Sequence, residues 1–180
     1  MNVPGLFLTE NFLSATEEKQ LLKCIDDGEW KDNRQGTRKV QIYGPWHDAN
    51  YRIIPGKVSD HPQFLKDLAK KLHDSIDDKN KSKLLDQNTC EVYINEYVDK
   101  DSLQYHFDHP GTYDENIYGI SLCNDAFMGF KNSDGVNKVL IPTKSLYVMS
   151  GDSRYKYKHG INKGWITNRR VSITFRTIKK

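Results

Sequence analysis

The stretch Arg170-Val171-Ser172-Ile173-Thr174-Phe175-Arg176 alternates residue by residue between polar and apolar side chains. Successive side chains of a strand point to opposite faces, so one face of this strand is apolar and the other presents two arginines, a serine and a threonine. A second stretch repeats the pattern, with Tyr93, Asn95 and Tyr97 on one face against Val92, Ile94 and Val98 on the other. A third extended segment carries His106 and Asp108, two apart and so on one side. Each of these strands has a polar face that needs something polar to meet.

Around them the chain breaks into short strand-like runs, over about 90–98, 103–109, 117–122, 126–130, 137–141, 145–150, 155–160 and 170–178, separated by turn signals at Asp134-Gly135, Pro142 and Gly151-Asp152. So many short strands at this spacing indicate a mainly β chain built as a sandwich or jelly roll. Two helices are expected before them. Ser14-Ala15-Thr16-Glu17 has the form of a capping box, followed by a stripe of Leu21, Leu22 and Ile25 and a left-handed stop at Gly28. Pro62 opens a second helix at its first position, with Leu65, Leu68, Leu72 and Ile76 at helical spacing. His73 on that helix has no partner pattern, and residues 77–88 are expected to be a flexible connection.

Between the helices Val40-Gln41-Ile42-Tyr43 alternates into a strand that Gly44-Pro45 is expected to end. Tyr43, Trp46 and Tyr51 stand out there. Two readings are open: the rings pack over a sheet edge, or they touch a substrate.

At 180 residues the chain is expected to be one domain with a single sizeable core. Its net charge of +3 and isoelectric point near 8.6 permit a basic face without demonstrating a nucleic-acid footprint. Three widely spaced cysteines, Cys24, Cys90 and Cys123, argue against a disulfide framework and against structural zinc. No run is long enough to span a membrane, and the first residues lack a basic-then-apolar leader, so an intracellular chain of cytoplasm or nucleus is expected.

Two histidines and one carboxylate with open positions suit non-haem Fe(II). His106 and Asp108 supply two such groups, and a third must come from a distant strand, for which His159 is available. By itself a His-x-acid pair is expected about once by chance in a chain with 6 His and 24 acidic residues, and His106 could equally cap a turn while His159 sits in the core. The flanking strands decide in favour of a metal site.

Taken together, Asn95-x-Tyr97, Leu103-x-x-His106-x-Asp108, Gly119-Ile120-Ser121-Leu122, Ser145 to Gly151, Arg154, His159-Gly160-Ile161 and Arg170-x-Ser172-x-Thr174-Phe175-Arg176 resemble the AlkB family of Fe(II)/2-oxoglutarate dioxygenases, most of all the branch that includes tRNA-modifying members. The resemblance implies a double-stranded β-helix over residues 89–180, with residues 1–88 supplying two outer helices and a substrate lid. It implies Fe(II) on His106, Asp108 and His159, with O2 and 2-oxoglutarate as cosubstrates. Arg170 is implied to pair with the distal carboxylate of 2-oxoglutarate, helped by Asn95 and Tyr97, while Arg176 lies nearer the metal and Ser172 takes a place that is Asn in some relatives. An arginine fork meets both oxygens of a carboxylate, which suits that role. Tyr43, Trp46 and Tyr51 would cover the target nucleotide, with Arg38 and Lys39 beside them to neutralise phosphates.

The implied function is oxidation of a modified base in nucleic acid, by demethylation or hydroxylation, with RNA favoured over DNA and a monomer expected. The alternatives are a protein hydroxylase or demethylase, and a catalytically silent nucleic-acid-binding relative. Three departures from the family pattern bear on substrate. A glycine-rich turn is replaced by Asp99-Lys100-Asp101-Ser102, where an Asp would take the left-handed position; a usual glycine is Cys123, which would narrow the pocket wall; and Pro110 stands where some repair enzymes have an acid that contacts the base.

Overall fold

The alternation of residues 170–176 places that segment at the centre of a large sheet, with helices on its apolar face and a polar interior on the other. The computed structural model describes residues 3–33 and 35–179. In chain order the elements are β1 (Leu6–Thr9), α1 (Ala15–Asp26), β2 (Lys31–Asp32), β3 (Lys39–His47), β4 (Ile53–Ser59), α2 (Gln63–Ser75), a 3₁₀ helix (Lys81–Leu85), β5 (Cys90–Tyr97) and β6 (Leu103–His106). They continue with β7 (Tyr113–Leu122), β8 (Ala126–Asn132), β9 (Gly135–Ile141), β10 (Leu146–Met149), α3 (Gly151–Tyr155), β11 (Lys158–Ile161) and β12 (Arg170–Ile178). Among the described residues the strands form two antiparallel sheets: an eight-stranded one ordered β1-β10-β7-β12-β5-β3-β2, with β4 on β3, and a four-stranded one ordered β6-β11-β8-β9. This is the expected jelly roll.

Register explains the two faces of the large sheet. Val171, Ile173 and Phe175 of β12 share a buried cluster with Val92 and Ile94 of β5, with Tyr118, Ile120 and Leu122 of β7, and with Leu21, Ile25, Leu65, Leu68 and Leu72 of the two helices. The residues between them, Ser172 opposite Asn95 and Arg170 opposite Tyr97, face the other sheet. A second cluster, including Ile117, Met128, Phe130, Ile141 and Met149, closes the space between the sheets. Burying such side chains contributes about 1.5–3 kcal/mol each, so both helices are held mainly by their apolar stripes.

The boundary at 88/89 does not separate two sheets. β1 pairs with β10 and β3 with β5, so the amino-terminal segment extends the large sheet as well as supporting it. Ser14 and Glu17 form the capping box of α1, whereas Gly28 does not adopt the left-handed stop. Its lack of a side chain instead admits the Gln41 amide, which donates to the Ile25 carbonyl at 2.8 Å and closes the helix end. Pro62 is the residue before α2 rather than its first, and Ile76 already has an extended backbone. Residues 77–88 are an ordered link: Leu84 of the 3₁₀ helix is fully buried, and Asp78 accepts from Asn116 and Tyr118.

β3 does not end at Gly44-Pro45 but runs through to His47 and turns into β4. Gly44 has φ +88°, and a Cβ there would lie 2.2 Å from the Cys90 carbonyl oxygen, so the strand continues through a position only glycine fills. The segment 155–160 divides into the end of α3 and the start of β11. No helix of the described residues is long and apolar enough to cross a membrane.

Candidate active site

His106 and His159 are directly opposite each other on β6 and β11, their rings 4.3 Å apart. β6 ends at His106, so Asp108 belongs to the loop beyond it rather than to the strand expected over 103–109. That loop is pinned by the buried Arg154 of α3, whose guanidinium donates to the carbonyls of Asp108 (2.5 Å) and His109 (3.4 Å). The available ligand atoms of His106, Asp108 and His159 all lie within 4.8 Å of one another.

The protonation states fit a cation. His106 Nδ1 is 2.8 Å from the Gln104 carbonyl, which takes an Nδ1–H and leaves the Nε2 lone pair for a metal. Burial pushes the His106 imidazole below its usual pKa and His159 down to about 3, so both are neutral at physiological pH. For Asp108 burial works the other way, but the Arg176 charge, with that of Arg154 behind it, outweighs it and holds the carboxyl below the ordinary range. Asp108 Oδ1 forms an ion pair with Arg176 Nε at 2.8 Å, while Oδ2 is buried with no hydrogen-bond donor. An orphaned carboxylate oxygen beside two neutral imidazoles is the donor set an Fe(II) ion fits.

The 2-oxoglutarate residues named from the sequence line one face of β5 and β12. Arg170 is 2 % exposed, its guanidinium 5.4 Å from the Tyr97 ring centre. Its Nε reaches Ser121 Oγ at 3.4 Å, and Nη2 is buried without an acceptor. Asn95 is buried opposite Ser172, and its Oδ1 accepts from Arg38 Nε at 2.9 Å. Arg38, expected beside the aromatic lid, therefore sits at this polar face, over Tyr97 at 5.9 Å. Arg176 differs from Arg170: besides Asp108 it meets Glu91 at 3.1 Å. Glu91 is fully buried, accepts from Tyr113 Oη at 2.8 Å and pairs with His47 Nε2 at 3.1 Å, which raises the His47 pKa.

The aromatic residues named for the substrate part company. Tyr43 packs against the helix-side cluster with its hydroxyl on Gln41, because the β3 register puts it level with Val92 on the sheet's outer face; it does not face the site. Trp46 is 41 % exposed on the β3–β4 hairpin, its Nε1 donating to Ser59 Oγ at 2.7 Å and Lys57 Nζ 4.1 Å from its ring centre. Tyr51, at φ +60° in the hairpin turn, stacks on His109, the neighbour of Asp108, with centroids 5.2 Å apart. The 99–102 turn survives with Lys100, not an Asp, in the left-handed position, while Asp101 accepts from the Val98 N–H. Cys123 has φ +73° and packs with the helix-side cluster, its N–H on Glu18, so it does not narrow the pocket.

Residues 5–176 match the 2OG-Fe(II) oxygenase superfamily. The chain belongs to that superfamily and, within it, to the AlkB family. It is 31% identical over 201 residues to "Uncharacterized protein L905" of Acanthamoeba polyphaga mimivirus, covering 99% of this chain and 87% of that one. It is 29% identical to the DNA N6-methyl adenine demethylase of Caenorhabditis elegans (100% of this chain, 62% of that one). With the tRNA (carboxymethyluridine(34)-5-O)-methyltransferase ALKBH8 of Macaca fascicularis it shares 31% identity, over 88% of this chain and 24% of the other. The chain thus spans less than two thirds of the length of both relatives named for an activity. The solved structure of OsALKBH1 shares the fold, with a TM-score of 0.66 at 16% identity over 98% of this chain and 100% of that one. Membership makes this AlkB-family chain a dioxygenase of the Fe(II)/2-oxoglutarate type.

Glu91 and His47 escaped the sequence reading. A single acid at the start of a strand looks like a solvent-facing residue, and the only signal was its position on the face shared by Tyr93, Asn95 and Tyr97.

Proposed function

We propose that this chain binds Fe(II) through His106, Asp108 and His159 and 2-oxoglutarate through Arg170, and oxidises a modified base in nucleic acid, RNA in preference to DNA. The carrying observation is the buried Arg170 guanidinium with no carboxylate partner, on the face of β12 whose Arg176 pairs with Asp108 of the three-residue cluster. A buried charge is costly unless paired, so this one is suited to a ligand carboxylate.

Bound iron supplies the activation of O2 and the oxidative decarboxylation of 2-oxoglutarate to succinate. The chain supplies position. Gln104 orients His106, and Arg176 balances Asp108 Oδ1 so that Oδ2 is left for the metal. Arg38 donates to Asn95 Oδ1 and thereby fixes the Asn95 amide, whose N–H groups would be the end available to a ligand carboxylate. Tyr97 and Ser121 flank Arg170 and limit its rotation. For the substrate, Trp46 with Lys57 and Tyr51 on His109 offer planes for a base and a cation for a phosphate at the hairpin over the metal loop. The nucleic-acid reading is supported by relatives named for DNA and for tRNA. The lean to RNA is supported by the likeness to tRNA-modifying members and by Pro110 in place of a base-contacting acid. Matched RNA and DNA single strands carrying modified bases, and a panel of peptides, are titrated while 2-oxoglutarate decarboxylation is followed. RNA is expected to stimulate turnover most. Stimulation by peptides alone would replace this reading with the protein-hydroxylase alternative.

A further inference from the structure

The outer face of the small sheet is chemically unlike the rest of the surface. β6, β8, β9 and β11 contain three lysines, Lys131, Lys138 and Lys158, and no aspartate or glutamate. In a chain with 24 acids among 180 residues, this leaves the face without internal neutralisation. The lysines are all exposed. Lys131 and Lys158 are direct cross-strand partners on β8 and β11. Like charges directly opposite on a sheet are destabilising, and among the described residues no carboxylate forms an ion pair with either. Lys138 is level with Gly129, one strand further on, and so diagonal to Lys131 at about 7–8 Å.

Aromatic rings are interleaved with these cations. Lys138 Nζ lies 3.9 Å from the Phe127 ring centre and 5.0 Å from that of Trp165. Lys131 lies over Tyr105 at 5.8 Å, and Lys158 over Phe107, the residue between two metal ligands, at 5.9 Å. The Tyr105 ring lies flat across Gly129 and Gly160, where any side chain would collide with it, so the floor of the patch is smooth. The opposite face of the same sheet carries His106 and His159.

We propose that this lysine–aromatic face docks the single-stranded sugar-phosphate chain flanking the nucleotide that is oxidised, one sheet thickness from the metal site. The inference rests on the nucleic-acid reading above. Each ammonium on its flexible stem can move to a phosphate and uncover its ring for a base, which combines the two elements of single-strand binding, a cationic track and stacking planes. A purely acidic protein partner would use the charges but leave the rings without a role.

The test uses the full chain and an unmodified 12-nucleotide RNA single strand, with anisotropy read across a salt series. Each lost phosphate contact on a single strand lowers the slope of log affinity against log salt by about 0.7, so the Lys131→Gln/Lys138→Gln variant is expected to lose about 1.4. Phe127→Ala is expected to weaken binding about five- to a hundredfold with the slope unchanged, and an abasic strand is expected to be insensitive to that change. Lys131→Gln is expected to leave the Tm unchanged or higher, because it removes a repulsion. An unchanged slope and affinity in the double variant overturn the proposal, as does an abasic strand bound as tightly as the RNA. If no nucleic acid is oxidised yet the salt-dependent binding is lost with the lysines, the surface stands and the proposed activity fails. If RNA is oxidised by a chain whose binding ignores both lysines, the surface fails and the activity stands.

Discussion

Arg170 and Arg176 sit at the two ends of one strand, on one face, both in the interior, yet their surroundings are opposites. Arg176 lies between two buried carboxylates, Asp108 at 2.8 Å and Glu91 at 3.1 Å. Arg170 has a tyrosine ring, a serine hydroxyl and a free Nη2. A cation paired with buried carboxylates is part of the framework, and removing it strands its partners. One without a carboxylate costs the fold something until a ligand arrives. Under the proposed function, the same residue type on the same strand would serve metal positioning at one end and anion capture at the other.

The largest effect tests where the metal belongs. His106→Ala should weaken Mn(II) or Fe(II) binding at least about a hundredfold in anaerobic titration, with turnover lost and the unfolding midpoint little changed. Wild-type metal affinity in that variant would separate the metal from the Arg176 end altogether.

Next comes the contrast itself. Arg176→Ala should cost about 3–5 kcal/mol in denaturant unfolding, because Glu91 and Asp108 remain buried without their shared cation. Arg170→Ala should change stability by no more than about 1 kcal/mol. If both variants unfold alike, the distinction between the two ends is wrong. Arg170→Ala should instead raise the 2-oxoglutarate constant about tenfold or more, the equivalent of roughly 1.5–3 kcal/mol for a charge-assisted bond. Arg170→Lys should recover only part, because a point charge does not reproduce the fork.

Smaller effects follow from two histidines near the Arg176 end, whose shifts have opposite signs. The fold favours neutral His159, held near 3 by burial against an ordinary 6.5, so its contribution to apo-protein stability is complete above pH 6.5 and is lost as pH falls toward 3. The fold favours charged His47, raised by Glu91, so its contribution is complete below 6.5 and is lost as pH rises through the folded value. Urea midpoints of the apo-protein across pH should therefore show an alkaline decline that His47→Gln abolishes and an acid decline that it leaves. An alkaline limb untouched by His47→Gln would show that the pairing with Glu91 does not set the alkaline stability.

The smallest change lies beyond the Arg170 end. Cys123→Gly should relieve a left-handed backbone strain of about 1 kcal/mol, offset in part by the lost thiol packing. The 2-oxoglutarate constant should not move. A shifted constant would put Cys123 back in the pocket wall.

The two faces of β5 and β12 were legible in the sequence because a strand has period two, and one buried face on each side leaves no freedom of register. The His106 and Asp108 pair was expected on the same period-two argument, but Asp108 lies in the loop after β6 and comes beside His106 because Arg154 pins that loop, a contact from far along the chain. What was not legible depends on side chains meeting from far along the chain. Glu91 is buried by Tyr113, Arg176 and His47, each from a different strand. β4 was missed because Pro55-Gly56 has the composition of a turn, yet an edge strand tolerates proline. Of the two readings open for Tyr43 the packing one holds, because the pairing of β3 with β5 sets it level with Val92 on the helix side, a register that the sequence of β3 alone does not show.

Arg154 and His159 lie five positions apart, one fastening the loop of Asp108 from α3 and the other standing opposite His106 on β11. Two of the three proposed metal-ligand positions are thus referred to one short length of chain, which has no slack. A single residue inserted between 155 and 158 would turn His159 to the outer face of its sheet or pull Arg154 from the loop, whereas the segment joining β11 to β12 can lengthen without disturbing either. In this chain, tolerance to insertion and deletion should change abruptly within about ten residues, and the boundary falls at Ile161.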